Sequence, residues 1–280
     1  MKIKNATRDF NINDLPHNRK EVFFDCLKLR WSTILRCGLL SFLFAIPYFI
    51  VLFSEDFELS RLYLKFINEE ITEQVFMNSR LAFLITTNIL KIVTSLILAL
   101  GLAGLTRVIR QLVWQEPIFF HKDFFEGVKM NWLPFALTIL FMQLSFSISS
   151  ITIVFIPNYK LISSIPFAIS LIVVLPVGLY NMSSINVYNN KFFTYIKNSN
   201  ILLLKSFHIA IVFTLVFAIV YLTNLIPYLI VKWLILIIIF VLLMPYYYLS
   251  WFLYSSYVFD KFINKEQYPE IYDKGIIRKK

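Results

Sequence analysis

Long apolar segments alternate with short polar ones along most of this chain. A helix needs about 20 apolar residues to cross about 30 Å of hydrocarbon. Six runs of that length occur, and they predict an all-α membrane protein with six transmembrane helices. The predicted spans are 33–53, 81–105, 132–156, 162–180, 201–223 and 229–251.

These spans divide the chain into three regions. Residues 1–30 are predicted to form a cytoplasmic N-terminal segment with an interfacial helix, residues 31–258 the six-span bundle, and residues 259–280 a cytoplasmic basic tail. Within the bundle, we expect an outer acidic loop at 54–80 and an inner loop at 106–131. Apolar residues at helical intervals over 59–67 favour an amphipathic helix on the outer interface within the first of these loops. The first apolar run is too long for a signal-peptide core and has no cleavage pattern behind it, so it is predicted to be an uncleaved anchor.

The composition supports a membrane location and excludes soluble enzymes, disordered chains and disulfide scaffolds. Of the 280 residues, 58% are hydrophobic and 16% are charged, and the mean hydropathy is +0.69. A water-soluble fold of this size cannot hide 29 Phe, 15 Tyr and 5 Trp. The bulk of the chain is therefore expected to be solvated by lipid.

The distribution of basic residues predicts the orientation in the membrane. Of the 27 lysines and arginines, 19 fall in segments on the side of the N-terminus, five fall on the opposite side and three fall within the spans. Because loops rich in Lys and Arg stay in the cytoplasm during insertion, both termini are predicted to be cytoplasmic. The net charge of +10 is attributed to this rule and to anionic lipid headgroups, and we expect no nucleic-acid partner.

A short aromatic and basic segment recurs before the first, third and fifth spans. The three copies read FFDCLKLRW at 23–31, FFEGVKMNW at 124–132 and FFTYIKNSN at 192–200. Such a pattern is typical of an interfacial helix, since its rings enter the headgroup boundary while its lysine reaches phosphate. It favours three repeated units, each an inner interfacial helix followed by a membrane hairpin. The alternative is chance recurrence in a chain so rich in Phe and Lys.

Three longer stretches carry a resemblance to a known family. They are FFDCLKLRWSTILRCGLLSFLFAIP, LGLAGLTRVIRQLVWQEPIFFHKDFFEGVKMNW and YNMSSINVYNNKFFTYIKNSNILLL. Through them, and in the same order over most of its length, the chain resembles the YesL-like bacterial integral membrane proteins. The long outer loop and the extended C-terminal tail depart from the more compact family pattern. The resemblance implies a multi-pass bundle of the bacterial plasma membrane, without an established activity, and an accessory role beside carbohydrate ABC transporters.

Few residues in the spans suggest chemistry. The sequence contains no HExxH, GxSxG or P-loop motif and no Cys/His pair, so we expect no enzyme activity, catalytic residue, metal ligand or cofactor. All 17 acidic residues lie outside the predicted spans, which disfavours an ion-coupled transporter. The candidate intramembrane polar site is Lys91 with His208. Lys91 either reaches outward from a span that begins near Asn88 or faces a polar cavity, and His208 is more often a core or interface histidine than a ligand.

The predicted function is that of an accessory or interaction subunit associated with a carbohydrate ABC-type transporter. The inner loop is the expected docking surface, with ion pairing inside the loop as the alternative. The candidate contacts for a partner or for lipid headgroups are Lys28, Arg107, Arg110, Lys129 and Lys197. The alternative function is a transporter or lipid-handling protein in its own right, with a cavity around Lys91 and a span bent at Pro166 and Pro176.

Overall fold

The computed structural model describes residues 16–156 and 159–276, and these form helices and connecting turns without a strand. Six of the helices are long and apolar enough to cross a membrane, which confirms the predicted fold class. These six are α2, α3, α4, α5, α7 and α8. The helices are α1 (Arg19–Leu29), α2 (Trp31–Ile67), α3 (Glu73–Val113), α4 (Phe120–Phe155), α5 (Leu161–Val187), α6 (Phe192–Lys205), α7 (Phe207–Leu225) and α8 (Leu229–Gln267).

Helices α2 and α3 extend well beyond the length needed to cross a bilayer. The 37 residues of α2 span about 55 Å, against about 30 Å of hydrocarbon. The expectation of an acidic loop at 54–80 is therefore corrected, because α2 continues to Ile67 and α3 begins at Glu73. No glycine or proline interrupts residues 54–80, so nothing in this polar stretch stops the helix. Only the turn at 68–72 separates the two helices.

This turn marks one end of the bundle, which we call the hairpin end. The opposite end, which carries α1 and α6, we call the α1 end. Glu69 adopts a left-handed conformation with φ 60° just after α2, and the Glu70 amide donates to the Lys65 carbonyl at 3.0 Å. This arrangement satisfies the last carbonyls of the helix. The rings of Phe66 and Phe76 stack across the turn with centroids 4.8 Å apart.

The three recurrent FF…K segments adopt different arrangements. The first forms the separate helix α1, which is broken from α2 at Arg30, and the third lies in α6, which is broken from α7 at Ser206. The second was also expected to be a separate interfacial helix, but it is continuous with the span α4. Phe124 explains the difference, because its fully buried ring packs against Gly104 of α3. This contact holds the first turns of α4 against α3. Repetition of the three units stays a prediction.

The second half of α5 lies at the centre of the bundle. Residues 174–186 are all buried, so this segment contacts neighbours on every side. The Tyr180 ring packs edge-on against Trp251 of α8 with centroids 4.7 Å apart, and its hydroxyl bonds the Ser206 hydroxyl at 2.5 Å. The largest buried side chains therefore join α5 and α8 to the break between α6 and α7.

Two of the spans contain a wide helical turn just before a proline. In α5 the π-turn Ser170–Val174 precedes Pro176, and in α8 the π-turn Ile239–Leu243 precedes Pro245. A proline lacks the amide hydrogen and clashes with the carbonyl four residues earlier, so that carbonyl turns away from the helix axis. In α8 this is the Val241 carbonyl, which points at Gly38 of α2, where a Cβ would collide with its oxygen.

We expect Gly38→Ala to destabilise the protein by about 1–3 kcal/mol, because the added methyl group strikes backbone and cannot be relieved by a side-chain rotation. Glycine to alanine in a helix interior normally stabilises by about 1 kcal/mol, so the sign of the effect is diagnostic. The measurement is reversible unfolding in mixed detergent micelles. A neutral or stabilising Gly38→Ala would contradict the close contact between α2 and α8.

Candidate functional site

The strongest polar feature near the hairpin end is an ion pair between α2 and α3. The Lys91 Nζ lies 2.5 Å from Glu55 Oε2, and the two side chains are 9% and 14% exposed. The antiparallel register of α2 and α3 brings them level, as shown by the Ser41 hydroxyl, which donates to the Gly101 carbonyl at 3.2 Å. Lys91 therefore faces the interior of the bundle and meets an opposite charge there.

Glu55 was assigned to the outer loop, and its role was missed. A signal for it exists in the sequence. The inward positions of α2 recur at intervals of three and four residues, and continuing these intervals past the apolar run reaches residue 55. The positions that show this spacing are Ile34, Gly38, Ser41, Ala45, Tyr48 and Glu55.

Further polar side chains on the same helices and on α4 bond to one another. The Tyr48 hydroxyl, two turns from Glu55 on α2, donates to Gln143 Oε1 at 2.8 Å. The Gln143 amide donates in turn to the Ser147 hydroxyl at 3.1 Å. We call this the hairpin-end polar cluster, and its members are Tyr48, Glu55, Asn88, Lys91, Gln143, Ser147 and Ser150. It joins α2, α3 and α4 by side-chain bonds.

Removing one partner of the ion pair should lower the free energy of unfolding much more than removing both partners. Lys91→Leu leaves Glu55 buried without a counter-charge, and we expect a loss of about 3–5 kcal/mol in unfolding free energy. The double variant Lys91→Leu/Glu55→Leu should recover most of that loss. Unfolding of the four proteins of this double-mutant cycle in detergent measures the coupling.

The exposed pair Arg61–Glu58 on the same helix α2 supplies the control. Its side chains are 60% and 43% exposed, so Arg61→Leu should change stability by less than about 1 kcal/mol. Equal losses for Lys91→Leu and Arg61→Leu would show that Lys91 is not held by a buried charge.

His208 lies far from Lys91. It is the second residue of α7, at the α1 end, and its side chain is exposed. The structure therefore does not bring together the two residues of the candidate intramembrane site. Within the parts of the chain that the structure describes, no group of three or more His, Cys, Asp or Glu side chains is placed to hold a metal ion.

The α1 end holds a second polar cluster, centred on Arg110. Its guanidinium lies 3.1 Å from Glu116 Oε2, donates to the Asn186 carbonyl at 3.2 Å and stacks over the Trp114 ring at 4.6 Å. Lys274 reaches the same site, with its Nζ 2.7 Å from Glu116 Oε1 and 4.2 Å from the Trp114 ring centroid. Glu116 thus balances two cations beside one aromatic ring.

Asn186 connects three spans at the same end. Its amide donates to the Thr106 hydroxyl of α3 at 2.9 Å, and its Oδ1 accepts from the Asn131 amide of α4 at 3.0 Å. Nothing in the sequence marks it as functional, because a single asparagine near a predicted span boundary has no distinctive spacing. In this structure it links α5 to both neighbours.

The segment 260–276 packs against the bundle, although the sequence suggested a separate basic tail from residue 259. Asp260 lies 2.8 Å from the Arg19 guanidinium of α1, and its Oδ1 accepts from the Asn264 amide at 2.7 Å. The Tyr188 hydroxyl donates to Asn264 Oδ1 at 2.6 Å. Burial raises the pKa of Tyr188, so this hydroxyl remains protonated as a donor. Helix α8 and the segment after it therefore tie α1 to α5.

The candidate contacts for a partner or for headgroups divide into two groups. Arg107 and Arg110 are engaged inside the protein, Arg107 through Glu126 at 3.1 Å, in keeping with the alternative of ion pairing inside the loop. Lys28, Lys129 and Lys197 are exposed. Each of these lysines follows an exposed phenylalanine of its segment, and those rings are Phe24, Phe125 and Phe193, at 64%, 50% and 82% exposure.

Gly275 allows the C-terminal segment to dock. Its φ is +85°, and a Cβ there would collide with the Val113 carbonyl oxygen at the end of α3. We expect Gly275→Ala to release the segment, because both the conformation and the contact exclude a side chain. Trypsin cleavage after Lys261 and Lys265 should become about tenfold faster or more. Glu270→Ala, an exposed change in the same segment, is the control, and equal cleavage rates in both variants would contradict this role.

Comparisons with protein-family models, with curated proteins and with solved structures found no match to this chain. The resemblance to the YesL-like proteins therefore stays a prediction from the sequence.

Proposed function

We propose that this multi-pass membrane protein is a non-catalytic accessory subunit of a bacterial plasma-membrane complex, with a carbohydrate ABC-type transporter as its partner. The observation that carries the proposal is the ion pair between Lys91 and Glu55. Transport of a charged solute needs a charge within the membrane that is free to bind it. Lys91, the best candidate for that task, is buried and engaged by a glutamate.

The organisation of the α1 end also supports an accessory role. Its arginines and acidic residues link α1, α3, α5 and the C-terminal segment, so this end presents a fixed surface. Both termini are proposed to be cytoplasmic, which places Lys28, Lys129 and Lys197 at the inner leaflet beside exposed phenylalanines. These lysines are proposed to contact anionic headgroups, and the rings to anchor the helices at the interface.

The test is isolation of the full chain from native membranes in mild detergent through a tag at its C-terminus, followed by mass spectrometry. Permease and ATPase subunits of one ABC transporter should be recovered in fixed stoichiometry with the protein. The variant Lys28→Gln/Lys129→Gln/Lys197→Gln should keep its fold and lose binding to vesicles that contain anionic lipid. Arg61→Gln, at the hairpin end, should leave that binding unchanged.

Recovery of the protein alone, or with lipid only, would overturn the accessory role and favour a transporter or lipid-handling protein. Solute uptake by vesicles would then be compared between the natural protein and Lys91→Leu/Glu55→Leu. That double variant leaves no unpaired buried charge, so a loss of uptake is separable from a loss of fold.

A further inference from the structure

An apolar groove runs between α2 and α8 on the surface of the bundle. It has a volume of about 380 Å³ and an open side. Its lining is entirely aromatic and aliphatic, with Phe42, Ile46, Phe49, Ile50 and Phe53 from α2 and Ile230, Trp233, Leu234 and Ile237 from α8. Among these, Ile50, Ile230 and Leu234 are more than half exposed, so the groove opens to whatever surrounds the bundle.

The groove is closed at both ends by contacts between the same two helices. Towards the α1 end, Gly38 packs against the Val241 carbonyl freed by Pro245. At the hairpin end, Lys232 Nζ lies 2.5 Å from Asp56 Oδ2. Between these contacts the rings of Phe49 and Trp233 keep the helices apart, with centroids 5.9 Å from each other.

The length of the groove matches the thickness of one leaflet of a bilayer. From Phe42 to Phe53 the helix rises about 16 Å, close to half of the about 30 Å of hydrocarbon. The ion pair Asp56–Lys232 stands at the polar end of this length, where charged side chains reach the headgroup region. The apolar end lies near the middle of the membrane.

Trp233 forms part of the wall of the groove. It is only 6% exposed, and its ring packs edge-on against Phe49 and Phe53, with centroids 5.9 Å and 5.8 Å away. Its indole Nε1 is buried within the protein, so the groove presents an apolar surface along its whole length.

We propose that the groove binds one acyl chain of a phospholipid from the leaflet at the hairpin end. Asp56 and Lys232 neutralise each other beside the headgroup, so the site does not select the headgroup by charge. The inference is independent of the proposed accessory role. It predicts a retained lipid whether the protein is an accessory subunit or a transporter.

The test uses vesicles of phosphatidylcholine that contain a phosphatidylcholine with a photoreactive diazirine in its acyl chain. After reconstitution of the full chain and illumination, peptide mapping should find 42–53 and 230–237 labelled at least fivefold more than 85–97. The latter segment of α3 has exposed apolar side chains but does not line the groove. Equal labelling of all three segments would indicate an ordinary lipid shell and overturn the site.

A matched pair of variants tests whether the groove holds the lipid. Leu234→Trp should fill the groove and abolish the excess labelling, whereas Ile89→Trp, an exposed site on α3, should not. Native mass spectrometry should show a retained lipid on the natural protein and on Ile89→Trp, and its loss from Leu234→Trp.

Three further results would contradict the proposed lipid site. A retained lipid in Leu234→Trp would overturn the proposed location. Crosslinks between two protein copies through 42–53 would show that a second copy fills the groove, which would also overturn the proposal. A mixture with anionic phosphatidylglycerol should leave the labelling ratio unchanged, and a strong preference for that lipid would contradict neutralisation by Asp56.

Discussion

A charge buried among membrane helices needs an opposite charge within reach, because lipid supplies neither water nor a counter-ion. Two consecutive residues of α2 satisfy this constraint in different directions. Glu55 meets Lys91 of α3, and Asp56 meets Lys232 of α8. Adjacent positions on a helix differ by about 100° in direction, so one turn of α2 is bonded to a helix on each side. The arrangement of the hairpin end depends on these two pairs.

The α1 end is held by a different kind of contact. Here the side chains are asparagines, tyrosines and arginines that bond backbone carbonyls as well as each other, as Arg110 does with Asn186. Such bonds fix the ends of helices, whose last carbonyls lack partners within the helix. Arg19 of α1 extends the same principle to the segment after α8, since it donates to the Lys274 carbonyl and also pairs with Asp260 near the end of α8. The two ends of the described chain are thereby joined through the bundle.

The spans were predictable because they follow from length and hydrophobicity, and four of the six predicted runs lie within a long helix of the structure. The run 132–156 ends one residue past α4, and the run 201–223 was wrong at its start, because the chain breaks at Ser206 and the fifth span begins at Phe207. The unbroken continuation of α2 beyond Phe53 was not predicted, since helical spacing over 59–67 is equally compatible with a separate interfacial helix within an outer loop. The partner of Lys91 was missed for the same reason. Once Glu55 was placed in a loop, its position on the inward face of α2 had no meaning. The docking of 260–276 depends on pairings between distant residues such as Asp260 and Arg19, and local sequence does not encode them.

The groove between α2 and α8 follows from the distance between its two closing contacts. Gly38 and Asp56 are separated by about 27 Å along α2, and both contact α8. At Gly38 the backbones approach closely because no side chain intervenes. Between these contacts the large rings of Phe49 and Phe240, with centroids 5.3 Å apart, prevent the same approach. Two helices held together at both ends and separated by rings in the middle leave an apolar groove between them, and this is the space that the proposed acyl chain would fill.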